Sequence, residues 1–164
     1  MASGHGLLAH LMLLLDDSSP EAIAVDPMRP ASAVRIEAAL IATWPRLQGR
    51  VHRIDARIAD VPLEASDLVV SVHACGALTD EVLRHAMNAK ANVAVLPCCH
   101  ELLTCDTGGL EGWMDGSLAI DATRAARLRH ANYKVHAQTI PANITPKNRL
   151  LLGLRPALNE AIVR

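Results

Sequence analysis

The chain has 164 residues, 51% of them hydrophobic and 2% aromatic, with a net charge of −1. That length suits one domain with a real core, and with only Trp44, Trp113 and Tyr133 as aromatics the core is built from Leu, Val, Ile and Ala. The longest apolar run, Leu11 to Leu15, is far too short to span a bilayer, Met1-Ala2-Ser3-Gly4 has no basic leader pattern, and four cysteines, two adjacent, do not make a secreted disulfide frame, so a cytoplasmic chain without a membrane partner is expected.

In chain order, Gly4-His5-Gly6-Leu7 opens an apolar helix, Gly6 to Leu15, that ends before Asp16-Asp17-Ser18-Ser19-Pro20. Ala22 to Val25 reads as a short buried strand that delivers Asp26, after which Pro27 and Pro30 break the chain. Ser32 to Thr43 is a second helix with Val34, Ala38 and Ile41 on one face, and Val51 to Ile54 is a strand leading to Asp55. Leu68 to His73 is a third strand, apolar enough to be covered on both faces. Thr79 is expected to cap the next helix, with Asp80 and Glu81 in its first turn, where negative charge is favoured. Val93 to Leu96 is another buried strand, ended by Pro97. Leu118 to Ala131 is a helix, and Tyr133 to Ile140 and Leu150 to Leu154 are late strands joined by a loop from Pro141 to Arg149.

This alternation predicts an α/β fold: an open, mostly parallel, Rossmann-like sheet with helices on both faces. Ligands in such a fold sit beyond the carboxyl ends of the strands. Those ends carry the unusual residues: Asp26, Asp55, His73-Ala74-Cys75-Gly76 and Pro97-Cys98-Cys99-His100. Gly-x-Gly, helix, strand and acid, in that order, is also how a ribose-bearing cofactor is held.

Three segments carry a family resemblance: Asp67 to Asp80, Leu96 to His100, and Thr145-Pro146-Lys147-Asn148-Arg149. Together they resemble the class I S-adenosylmethionine-dependent methyltransferases. More narrowly, they resemble a methyltransferase-domain family with His-x-Cys-Gly and Pro-Cys-Cys motifs, similar to a eukaryotic tRNA 2′-O-methyltransferase family. The resemblance covers nearly the whole chain as a single domain, 1–164, and implies S-adenosyl-L-methionine as cofactor. Carried over, Gly4 and Gly6 line the methionine moiety, Asp26 binds the ribose hydroxyls and Asp55 approaches the adenine amine. His73, Cys75 and Gly76 form the wall beside the sulfonium. Pro97, Cys98, Cys99 and His100 stand where the family presents substrate-facing residues; separately, by charge, an RNA substrate would meet Lys147 and Arg149 through its phosphates. If the acceptor is a ribose hydroxyl or a nitrogen, an imidazole takes its proton, and His100 is the candidate with His73 behind it. The resemblance also implies an antiparallel C-terminal strand.

One departure from the family pattern stands out. Only Met1-Ala2-Ser3 precede Gly4, too few for the family's first strand at about 3.3 Å per residue. The first glycine of the extended pattern is Ala2. The expectation is therefore a chain begun late relative to the family, with its first strand largely missing and strand edges exposed to self-association.

The residues leave alternatives open. Asp26 suits a cap on the Pro27 turn. Cys75 and Cys98 suit buried small hydrophobes, and His73 a satisfied core histidine. His5 and His10 read as helix-surface residues. Cys75, Cys98, Cys99, His100 and Cys105 could share a zinc ion, although adjacent Cys98-Cys99 departs from the usual Cys-x2–4-Cys spacing and no metal is expected. A cysteine nucleophile lacks any pattern that singles out one thiol. Charge adds a further choice. Residues 1–120 carry 8 basic and 15 acidic side chains, whereas residues 121–164 carry 8 and 2. That basic quarter, with Arg124, Arg127, Arg129, Lys134, Lys147 and Arg149, is either a solvated face or a contact surface for RNA. The functional alternatives are methyl transfer, with RNA as a candidate acceptor, and a non-catalytic relative that binds RNA or protein without the cofactor.

Overall fold

The first helix forms where the sequence lacks any β-branched residue: Leu7–Leu15 is leucine-rich and ends at Asp16 in extended backbone (α1). In the computed structural model, residues 1–156 are described, and they group into two compact units, Met1–Val61 and Pro62 onward.

In the first unit α1 is followed by β1 (Ala22–Val25), α2 (Ala33–Thr43) and β2 (Val51–Ile54), with short 3-10 turns at Pro45–Leu47 and Ile58–Asp60. β1 and β2 pair in parallel, Ala22 opposite Val51 and Val25 opposite Ile54. Ahead of α1, Ser3 donates its amide to the Val25 carbonyl at 2.9 Å. Arg50 pins the entry to β1: its guanidinium donates to the Pro20 and Ser19 carbonyls and to the Asp17 carboxylate. Leu13, Ala24, Val25, Ala33 and Leu47 are buried. The Val34, Ala38 and Ile41 face of α2 is not the inward one: Val34 is 54% exposed and Ala33 is the buried residue of this helix. Spacing alone groups apolar residues on a face without saying which face a two-strand layer will cover.

The second unit runs β3 (Leu68–Val72), α3 (Ala77–Ala89), β4 (Asn92–Leu96), α4 (Gly116–His130), β5 (Lys134–Thr139) and β6 (Arg149–Leu154). Its sheet has the order β3-β4-β6-β5. β3 and β4 are parallel, with Val72 opposite Leu96, and β6 is antiparallel to both its neighbours. β5 therefore runs with β3 and β4, and β6 alone is reversed, as expected of the C-terminal strand. Gly153 explains how β6 fits: a Cβ there would meet Leu128, Tyr133 and Val93 at 3.0–3.1 Å. The Tyr133 hydroxyl lies 2.9 Å from the Ala91 carbonyl, and burial raises its pKa. Val82, Ala86, Val93, Val95, Ile120 and Leu128 fill the interior.

Among the described residues the strands pair as two hydrogen-bonded sheets, of two and four strands, within the mostly parallel α/β fold expected. One expectation needs correction: Thr79 does not cap α3. The helix begins at Ala77, with Gly76 at the cap position at φ 55°, and the buried Thr79 hydroxyl donates instead to the Ala74 carbonyl. Among the described residues no helix is long and apolar enough to cross a membrane.

Candidate functional site

Two clusters of polar groups form, one in each unit. In the first, Gly4 has φ 50° and Gly6 φ 78°, left-handed values that glycine adopts without a Cβ penalty. The Gly4 amide donates to one Asp26 oxygen at 2.9 Å, and the Met28 amide donates to the other at 3.0 Å. Asp26 thus closes the Pro27 turn and braces the glycine turn at once. Arg53 completes the frame. Its guanidinium donates to the Gly4 carbonyl, the Met28 carbonyl and Asp55, each at 2.7–2.8 Å. Asp55 is otherwise exposed, its side chain 57% accessible. His5 reaches the Ser32 hydroxyl at 2.8 Å. His10 is not a surface residue. It is 3% exposed, with Nδ1 on the Gly6 carbonyl at 2.9 Å, because α1 turns that side of the helix inward.

In the second unit, the parallel register of β3 and β4 sets the two strand ends side by side. His73 leaves β3 in a left-handed conformation, φ 67°, and is exposed, so it is no core histidine. Its amide donates to the Leu96 carbonyl at 3.3 Å, and the Gly76 amide donates to the Cys99 carbonyl at 3.1 Å. A Cβ on Gly76 would meet a Glu101 carboxylate oxygen at 3.2 Å. These ties draw three free thiols together. The Cys75 sulfur lies 3.3 Å from Cys98 and 3.3 Å from Cys99, and Cys98 and Cys99 are 3.5 Å apart. Cys98 is buried, while Cys75 and Cys99 are exposed. Burial and the hydrogen bonds of its neighbours push the Cys98 thiol up to about 12. Hydrogen bonds received from Cys75 and Cys98, with Lys147 nearby, hold the Cys99 thiol below its ordinary value. In a reduced, metal-free sample near pH 8, iodoacetamide should therefore modify Cys99 at least about tenfold faster than Cys98. Peptide mapping by mass spectrometry against time reads this ratio, and equal rates would contradict it. Cys105 stands apart from the three thiols, buried with its sulfur 3.7 Å from Arg124 Nη2.

His100 follows the thiols and is held by α4. Its Nε2 lies 2.9 Å from both oxygens of Asp121, and its side chain is 7% exposed. A carboxylate only accepts, so the contact suits the tautomer with its proton on Nε2, which places the ring's lone pair on Nδ1. Asp121 also accepts from Arg149 Nε at 2.7 Å and from Arg124 Nη1 at 3.2 Å. Arg149 continues to the Ser117 hydroxyl at 3.0 Å. Asp115, at the α4 cap, accepts from the Ser117 and Leu118 amides. Pro97, His100, Ser117, Pro146, Lys147, Asn148 and Arg149 line a cleft of about 270 Å³. Asn148 closes the 140–148 loop by donating to the Ile140 carbonyl at 2.8 Å, and Lys147 is exposed.

This architecture matches known proteins. The model for the methyltransferase domain matches residues 1–106. The chain belongs to that family. Its fold is that of two solved S-adenosylmethionine-dependent enzymes. One is the methyltransferase SibL in its apo form, 18% identical, with a TM-score of 0.58 over 95% of this chain and 49% of that one. The other is NcsB1, an O-methyltransferase from neocarzinostatin biosynthesis solved with S-adenosylmethionine and 2-hydroxy-5-methyl naphthoic acid. It is 18% identical, with a TM-score of 0.55 over 94% of this chain and 47% of that one. A curated relative, the glutathione S-transferase C-terminal domain-containing protein of Xenopus laevis, is 34% identical over 68 residues. The chain spans 9% of that relative's length and about half of the two solved structures.

Within this methyltransferase domain, two polar side chains escape sequence reasoning: Arg53 and Asp121. Arg53 and Asp121 organise the two clusters, yet neither lies in a motif. Arg124 is the largest correction. It is expected on a basic surface, but it is 1% exposed. Its guanidinium donates to both oxygens of Asp80, to Asp121 and to the Gly76 carbonyl. Arg127 is likewise paired with Asp106 and Asp80. Part of the basic quarter is thus neutralised internally, whereas Arg129 and Lys147 remain exposed.

Proposed function

We propose that this chain binds S-adenosylmethionine and directs its methyl group to an acceptor hydroxyl or nitrogen, with RNA as the acceptor class. The observation that carries this reading is the Gly4 turn: a left-handed glycine whose peptide is held by Asp26 and Arg53, just ahead of α1, in a methyltransferase-family chain. A nucleoside cofactor fits there on two counts. A Cβ at Gly4 would meet nothing within 4 Å, so the backbone borders open space. No side chain caps α1, which leaves the first amides of the helix for a ligand.

In this reading Gly4 and Gly6 border the methionine moiety. Asp26 accepts from the ribose hydroxyls with the lone pairs its two amide partners leave unused. Asp55 receives the adenine amine. The cofactor supplies a methyl group already activated by its sulfonium leaving group. The chain's own work is alignment, exclusion of water and removal of one proton. His100 takes that proton at Nδ1 while Asp121 holds Nε2–H. Pro97, Cys98 and Cys99 border the acceptor.

Calorimetry with S-adenosylhomocysteine is the test. Asp26→Ala should weaken binding by about 1.5–3 kcal/mol, the scale of hydrogen bonds to a charged group. Circular dichroism accompanies the titration, because the Gly4 and Met28 amides also lose their acceptor. Unchanged affinity in a folded variant removes Asp26 from the site. No binding by the folded wild-type chain would favour a domain that holds RNA or protein without cofactor.

The RNA reading rests on Lys147 and Arg149, two cations in the cleft that His100 lines. Each neutralised phosphate on a single strand contributes a slope of about −0.7 in log affinity against log salt. Lys147→Ala should flatten the slope measured by filter binding by about that amount and leave cofactor binding intact. Arg149 has a structural partner in Asp121, so Lys147 is the cleaner probe. A wild-type chain with no salt-sensitive RNA binding would move the acceptor to a small molecule or a protein.

A further inference from the structure

We propose that Cys75, Cys98 and Cys99 form a zinc site of three thiolates with an open fourth position. The spacing rule Cys-x2–4-Cys describes ligands on one turn, and it does not govern this arrangement. Here the third ligand arrives from the neighbouring strand. Val72 lies opposite Leu96 in the parallel register, so Cys75 and the Cys98-Cys99 pair leave the same end of adjacent strands. The amide of Gly76 on the Cys99 carbonyl holds the two loops at this separation.

The triangle of sulfurs has the right size. In a tetrahedral site with Zn–S of about 2.3 Å, neighbouring sulfurs stand about 3.8 Å apart. The observed edges are 3.3, 3.3 and 3.5 Å. A zinc ion about 2.3 Å from all three would sit about 1.2 Å out of their plane, and a few tenths of an ångström of side-chain movement would relax the angles. All four cysteines are free thiols, and among the described residues no fourth His, Cys, Asp or Glu joins these three. Two of the three sulfurs belong to exposed residues, so the remaining coordination position faces water or an incoming ligand. Three protein ligands with one open position is the pattern of sites that bind a further ligand, and thiolates select zinc among the common divalent ions. Binding exchanges three S–H protons for one Zn²⁺, with no change in oxidation state.

The test is Co²⁺ titration of the reduced, chelator-stripped chain under anaerobic conditions, without cofactor. One Co²⁺ per chain should bind, with thiolate-to-cobalt charge-transfer absorption and the strong visible bands of four-coordination, and equimolar Zn²⁺ should displace it. Cys75→Ser and Cys99→Ser replace exposed thiols and should each weaken binding at least tenfold, with folding checked by circular dichroism. Cys105→Ser should leave the spectrum unchanged. The site is refuted if the folded wild-type chain gives no charge-transfer band. It is also refuted if the band survives both exposed substitutions, or falls equally with Cys105→Ser. Because no cofactor enters the titration, a negative result leaves the methyl-transfer reading untouched.

Discussion

Arg124→Ala is expected to cost about 3–5 kcal/mol of stability, enough to unfold a marginal domain. The side chain is 1% exposed and meets two carboxylates, a carbonyl and a sulfur. Cutting it away leaves Asp121, with a side chain only 12% exposed, short of one cation, and Asp80 short of its bidentate partner. A buried pair broken on one side, with Asp121 left to Arg149 and Asp80 to Arg127 at 3.7 Å, is what makes such a loss large. Arg124→Lys should recover part of the loss, because an ammonium keeps the charge but cannot span Asp80 and Asp121 with a planar fork. Urea denaturation of the two variants measures both effects. A loss below about 1 kcal/mol for the alanine variant would mean that water or a neighbour replaces the guanidinium.

His100→Gln should lower the methyl-transfer rate by about 10²–10⁴, the range for a positioned general base, while leaving the affinity for S-adenosylhomocysteine unchanged. Glutamine suits the test because its amide nitrogen can take the place of Nε2 and still donate to Asp121, yet it offers no basic atom where Nδ1 stood. The variant thus separates proton removal from the structural tie at 2.9 Å. Single-turnover measurements on preformed enzyme and cofactor read the chemical step directly. A rate within threefold of wild type would take His100 out of the chemistry and leave it as a link between the β4 end and α4.

Ala22–Val25, Leu68–Val72 and Asn92–Leu96 were legible as short, mostly apolar runs between breakers, and Val51–Ile54 by its apolar ends. The helix starts were less so. Gly76, at φ 55°, does the work expected of Thr79, because a left-handed glycine turns the chain sharply before the first amide. The candidate site was legible where local order carries it. Asp26, His73, Cys75 and the Pro97–His100 segment all follow strand ends. Its long-range partners were not. Asp121 sits mid-helix and reads as a solvated charge, and only folding brings it to His100, 21 residues away, and to Arg149, 28 residues away. Arg53 reads as an exposed strand residue until its guanidinium closes on the Gly4 carbonyl, 49 residues upstream. Arg124 shows the same limit from the other side, since a count of charges says nothing of which are already paired.

The Asp121 carboxylate has a consequence for how this domain can diversify. His100 is moored to α4, and through Asp121 to the start of β6, instead of to the stretch that follows it. Apart from Cys105 and Asp106, which meet Arg124 and Arg127, the exposed side chains of residues 101–114 can change without unseating the imidazole. Leu102, Leu103 and Trp113 already project from that stretch, at 60%, 99% and 86% exposure. On the proposed reading, the imidazole is anchored by a helix and a strand while these exposed apolar side chains can be rewritten beside it without moving it.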